Sequence, residues 1–82
     1  MNTQNSIFTV ILTSRHFNGN SEATELTGTL EELTQKFSNI LTMAYYLNHR
    51  ISRKPRSLSE LVKSVNKSYE EIGTFGKNLD VK

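Results

Sequence analysis

Seven consecutive residues, Ile7-Phe8-Thr9-Val10-Ile11-Leu12-Thr13, are almost all β-branched or bulky and apolar, and no other feature limits the fold as much. That composition and length favour a strand over a buried helix segment. Phe8, Val10 and Leu12 then point one way while Ile7, Ile11 and Thr13 point the other, so the strand is expected to be covered on both faces. Asn18-Gly19 follows as a turn signal, since a two-residue type I′ hairpin needs positive φ at both central positions. A turn there pairs Arg15 with Glu22, Thr13 with Thr24 and Ile11 with Leu26, with a longer loop over residues 16–21 as the alternative register. Strand two is placed at about 21–28.

Two helices follow. Gly28 lets the chain leave the strand, and Thr29 with Glu32 makes a reciprocal capping box. Leu30, Leu33, Phe37, Ile40, Leu41, Ala44 and Leu47 keep helical spacing on one face, which predicts one helix from about 30 to 48. Pro55 disfavours helix at Lys54, and Ser57 with Glu60 opens a second capping box. Leu58, Leu61, Val62, Val65, Tyr69 and Ile72 form the apolar face of the second helix, and Gly73 is placed to end it. The expected class is therefore α+β: an N-terminal β-hairpin followed by two amphipathic helices (ββαα) in a single small domain, residues 1–82. Residues 1–6 are expected as a frayed lead-in and 74–82 as a flexible tail, in which Leu79-Asp80-Val81 alternates enough for a short edge strand.

Length sharpens the problem of covering the first strand. An isolated two-stranded sheet is marginal in water, and in a chain of 82 residues only 35% are hydrophobic. The tail, the second helix or another copy of the chain must supply the missing cover, and a homo-oligomer is the preferred expectation. With no Cys there is no disulfide scaffold, thiolate metal site or cysteine nucleophile. No apolar run approaches the roughly 20 residues that span a bilayer, and Met1–Ser6 lacks the basic start of a signal peptide, so no membrane role is expected.

Catalysis finds little support. His16 and His49 belong to no metal-binding spacing, and Glu31-Glu32 and Glu70-Glu71 are adjacent pairs that diverge around a helix. No catalytic residue, metal ligand or cofactor is assigned, and no enzyme is expected.

Charge is more informative once divided along the chain. The net +2 arises from 10 Lys plus Arg against 8 Asp plus Glu, but residues 48–69 alone hold six positive and one negative charge. Arg50, Arg53, Lys54 and Arg56 lie in the connection between the helices, Ser57 caps the second, and Lys63 and Lys67 continue along it. Basic side chains beside free amides at a helix start suit a phosphate group, so a phosphate-bearing ligand or nucleic acid is a candidate partner. The bland alternative is a solvated basic loop. Tyr46, turned outward at the end of the first helix, and Phe17, at the hairpin tip, are the candidate apolar anchors. A helix-turn-helix is a minority reading, because the gap from about 48 to 57 far exceeds the short turn of that motif.

Gly28-Thr29-Leu30-Glu31-Glu32-Leu33, Phe37-Ser38-x-x-Leu41, Ile51-Ser52-Arg53-Lys54-Pro55-Arg56-Ser57-Leu58-x-x-Leu61-Val62 and Val65-Asn66-Lys67-Ser68-Tyr69 resemble segments of a group of small phage and prophage accessory proteins. The resemblance covers about residues 26–70; it departs at Tyr45-Tyr46 and in the tail. It implies a phage origin, and hence a protein acting in the cytoplasm of an infected bacterial host. The leading expectation is a non-catalytic counter-defence protein that either occupies a host defence protein, as an anti-CRISPR-like inhibitor does, or sequesters a phosphate-bearing signal. Its slightly basic charge argues against DNA mimicry. A nucleic-acid-binding regulator is the alternative, and an assembly part with no site is a third.

Overall fold

A computed structural model describes residues 6–48, 55–74 and 76–82. The elements run β1 (Phe8–Arg15), β2 (Ser21–Gly28), α1 (Leu30–Lys36), α2 (Ser38–Asn48), α3 (Leu58–Glu71) and β3 (Lys77–Val81). The class is α+β, with three antiparallel strands in the order β2-β1-β3. β1 is thus the middle strand. Its even-numbered residues bond toward β2 and its odd-numbered ones toward β3, as the terminal rungs His16 N–H to Asn20 O and Arg15 N–H to Gly76 O show.

The hairpin register is one residue away from the expected one. Arg15 lies opposite Ser21, Ser14 opposite Glu22, Thr13 opposite Ala23 and Val10 opposite Leu26. The turn is a longer loop. Gly19 N–H bonds the His16 carbonyl at 3.0 Å, Asn20 N–H bonds Asn18 Oδ1 at 3.0 Å, and Gly19 sits at φ +88°. His16 pairs with Asn20 and Gly19 takes positive φ, so residues 17–19 form a three-residue loop rather than a two-residue type I′ turn. The shift matters because it places Val10 and Leu26, not Ile11 and Leu26, together on the face toward the helices.

That face holds the core. Val10 and Leu79 from the sheet meet Leu33, Phe37, Leu61, Val65 and Tyr69, with Phe8, Leu12 and Leu26 half-buried around them. The cover expected for the second face of β1 comes from neither the tail nor the second helix: α3 packs on the core face and β3 pairs along the edge. The outer face carries Thr9, Ile11 and Thr13 beside Ala23, Glu25, Thr27, Asn78 and Asp80, and it is mostly polar. Thr9 and Thr27 share a hydroxyl hydrogen bond of 3.1 Å, and an ion pair between Lys82 and Glu25 spans the middle strand beside Ile11. Water can wet such a face, so the sheet does not require a second layer.

The possible edge strand at Leu79-Asp80-Val81 is present as β3, longer than those three residues, in place of the flexible tail mainly expected there. It pairs along the free edge of β1 and buries Leu79 opposite Leu12. Leu79 points its own N–H and carbonyl away from β1, and the side chain of Asn66 on α3 takes both, at 2.7 and 2.8 Å. One amide side chain thereby does the work of a fourth strand and blunts the edge at that point. Gly73, at φ +80°, ends α3 with paired bonds from Gly73 N–H to Glu70 O and from Thr74 N–H to Tyr69 O. Burial in turn pushes the Tyr69 hydroxyl above its ordinary range, and Lys77 Nζ lies 5.9 Å from the ring centre.

Three helices replace the two expected, because the predicted 30–48 helix breaks at Phe37. Phe37 N–H bonds the Thr34 carbonyl at 3.2 Å, a tighter turn than the α-helical one, and Phe37 sits at φ −105°, ψ 12°. Thr34 Oγ1 also returns to the Leu30 carbonyl at 2.7 Å, a bond that bends helices. α1 then packs beside β2 while α2 packs against α3. Leu47, expected in the core stripe, ends up exposed.

The α1 start shows why Gly28 precedes Thr29. Thr29 Oγ1 accepts Glu32 N–H at 3.1 Å, and Glu32 Oε1 accepts Thr29 N–H at 2.8 Å. A Cβ on Gly28 would stand 3.1 Å from that Glu32 oxygen. The Thr29 N–H first, then its hydroxyl, holds the Glu32 carboxyl below its ordinary value of 4.5. The folded state therefore binds fewer protons than the unfolded chain near that pH. This contribution to stability is present above 4.5 and is lost as pH falls through the lowered value. Glu32→Gln should accordingly show a shallower loss of urea midpoint between about pH 6 and pH 3 than the parent chain.

Candidate functional site

Arg50, Arg53 and Lys54 lie outside the described residues, as do His49 and residues 1–5 of the lead-in expected at 1–6. The remaining candidates can be placed. Arg56 is exposed just ahead of α3, and Ser57 is its N-cap. Lys63 and Lys67 are exposed one turn apart, away from buried Leu61 and Val65. Glu60 and Glu70 share that side of α3, so it is not a uniform positive stripe.

The helix start itself departs from expectation. Ser57 Oγ accepts Glu60 N–H at 3.2 Å, which is the first half of a capping box. The return bond goes elsewhere: Glu60 Oε2 accepts the N–H of Arg56 at 2.6 Å, one residue before the cap. A carboxylate thus already stands beside the start of the helix, on an amide one residue outside it. A phosphate arriving here meets a like charge and must displace a charge-assisted hydrogen bond. α3 thus presents a partner with cationic side chains that have a carboxylate among them.

The two apolar anchors stand on different elements. Phe17 is fully exposed at the tip of the β1–β2 hairpin, on a loop held by the three hydrogen bonds from residues 16, 19 and 20. Tyr46 is exposed on α2 and meets Tyr45 edge to face, their ring centres 6.2 Å apart. His16, beside Phe17, has its Nε2 3.8 Å from a Glu22 carboxylate oxygen, both largely in solvent. This makes a surface pair and gives His16 no acid/base partner in a cleft.

Met43 and Leu47 were missed as surface residues. A signal was present in the sequence: Ile40, Met43 and Leu47 follow an i, i+3, i+7 spacing, and Ser38–Asn48 contains no Asp, Glu, Lys or Arg. An uncharged helix of that pattern has more apolar surface than one core face can use.

Among the described residues no group of His, Asp or Glu is placed to hold a metal ion, and no helix is long and apolar enough to cross a membrane. Comparison with protein-family models, with curated proteins and with solved structures yields no match.

Proposed function

We propose that this chain is a non-catalytic binding protein that grips an acidic face of a partner protein, in the setting of a phage countering a bacterial defence system. The setting rests on the sequence resemblance alone. Much of that resemblance is spent on folding: Gly28, Thr29 and Glu32 build a cap, and Leu33 fills the core. The binding role rests on the cationic segment 48–69 with its exposed flanking aromatics.

The Arg56–Glu60 bond favours a protein over a phosphate-bearing ligand, because it sets a carboxylate, which repels phosphate, at the helix start that the basic segment leads into. Arg50, Arg53, Lys54, Arg56, Lys63 and Lys67 remain as the partner-facing cations, with Phe17 or Tyr46 as anchor. Arginine suits this task because its planar fork meets carboxylates bidentately.

The rival reading, a nucleic-acid-binding regulator, is favoured by the same six cations. Salt separates them. Backbone binding through six cations should weaken about a thousandfold between roughly 50 and 200 mM salt. We expect fluorescence anisotropy with labelled duplex DNA and single-stranded RNA to show only weak, salt-labile association of this kind. A submicromolar complex at about 50 mM salt that weakens roughly a thousandfold by about 200 mM would establish the regulator instead.

A further inference from the structure

We propose that the outward face of α2 is where two copies of this chain pack together, antiparallel and about a two-fold axis. The inference is independent of what the cationic segment binds.

α2 has two apolar stripes. Leu41 and Ala44 turn inward toward the core, while Met43, Tyr46 and Leu47 are 55%, 74% and 58% exposed. Half-buried Ile40 joins the two sets, so the outward residues continue an apolar surface that begins in the core. Ile40, Met43 and Leu47 repeat at the spacing of a coiled-coil seam, with Tyr46 alongside. Scattered exposed apolar residues need no explanation, but three on adjacent turns of one helix make a patch of roughly 400 Å².

A second copy is the occupant that fits. With no charged side chain between Ser38 and Asn48, nothing in the seam repels an identical helix. Two patches in contact bury about 800 Å² from these side chains alone, and their flanks bring the total toward the roughly 1,200 Å² where specific interfaces begin. Charge then selects the orientation. The cations of residues 50–56 immediately follow α2 in the chain, so a parallel pair would bring two such segments together. An antiparallel pair keeps apart the two α2 ends after which those cations follow in sequence. The small core gives the pairing a purpose, since eight hydrophobic residues are all that the described part of one chain buries. Tyr46 is consumed by this interface, which leaves Phe17 as the anchor for other partners.

Sedimentation equilibrium of the full chain tests this. The expected result is a monomer–dimer equilibrium on the order of 10–100 µM, abolished in Tyr46→Glu and Leu47→Glu with unchanged circular dichroism. Because the chain has no Cys, Met43→Cys gives a second readout. Near the two-fold axis it should oxidise to a covalent dimer at least tenfold faster than Phe17→Cys at the exposed hairpin tip. A single species of one-chain mass up to about 500 µM would overturn the proposal. So would a dimer that survives both glutamate variants, or equal cross-linking rates for the two cysteine variants.

Discussion

Leu33→Ala should lower the free energy of unfolding by about 2–5 kcal/mol, with the larger values if the cavity stays open. Leu33 is fully buried between the sheet and the helices, on the short helix α1, and it is one of eight buried hydrophobic residues among those described. A chain of this length commands roughly 4–12 kcal/mol in total. The substitution therefore removes a large share of the stability, and at the low end it unfolds the protein at physiological temperature. Leu47→Ala is the informative control: sequence periodicity places both leucines on one stripe, but Leu47 is exposed. In dilute solution it should change stability by less than about 0.5 kcal/mol. Urea denaturation monitored by circular dichroism measures both. A cost below about 1 kcal/mol for Leu33→Ala would mean that α1 is not docked as described.

Gly76→Ala should be the most damaging of the glycine-to-alanine changes, at about 1–3 kcal/mol. A Cβ at Gly76 would stand 2.8 Å from the carbonyl oxygen of Arg15, a backbone atom that cannot swing aside. The same glycine accepts the Arg15 N–H at 2.7 Å, the rung that begins the β1–β3 pairing. Displacing it pulls on Leu79, which fills the core, and on the Asn66 side chain that holds Leu79 from α3. The damage should be directional. Amide exchange should quicken more at Ile11 and Thr13, which bond toward β3, than at Val10 and Leu12, which bond toward β2. Equal loss of protection on both sides would contradict this account of the sheet. Gly19→Ala meets only open space and should cost about 1–2 kcal/mol, through the positive φ alone.

The elements were legible where local chemistry decides them. The apolar run of β1, the Thr29–Glu32 cap, the Ser57 cap and the stop at Gly73 are all short-range signals, and each lies where the sequence places it. The features that were misjudged depend on partners far along the chain. Hairpin register turned on a two- or three-residue loop, and the pairing of Val10 with Leu26 on the face toward the helices goes with the longer one. The break at Phe37 has no Pro or Gly to announce it; it follows from where the Phe37 ring is buried and from the Thr34 back-bond. β3 rests on five residues whose docking is supplied by Leu12 and Asn66.

At the candidate site, exposure of Phe17, Tyr46 and the α3 lysines could be read from position on a turn or helix face. The Glu60–Arg56 bond could not. A Ser57–Glu60 spacing predicts a bond back to the cap, and the actual donor, the Arg56 N–H, lies one residue earlier, where it holds the carboxylate at the helix start. That single displacement moves the functional reading from phosphate toward protein.

Affinity capture on the tagged full-length chain from phage-infected bacterial lysate, with and without nuclease, tests the binding role most directly. Run beside it, the triple variant Arg53→Ala, Lys54→Ala, Arg56→Ala asks whether the cations carry the grip. We predict host defence proteins that stay bound after nuclease treatment and are lost with the triple variant. Recovery of nucleic acid alone, or a set of bound proteins unchanged by the triple variant, would contradict it.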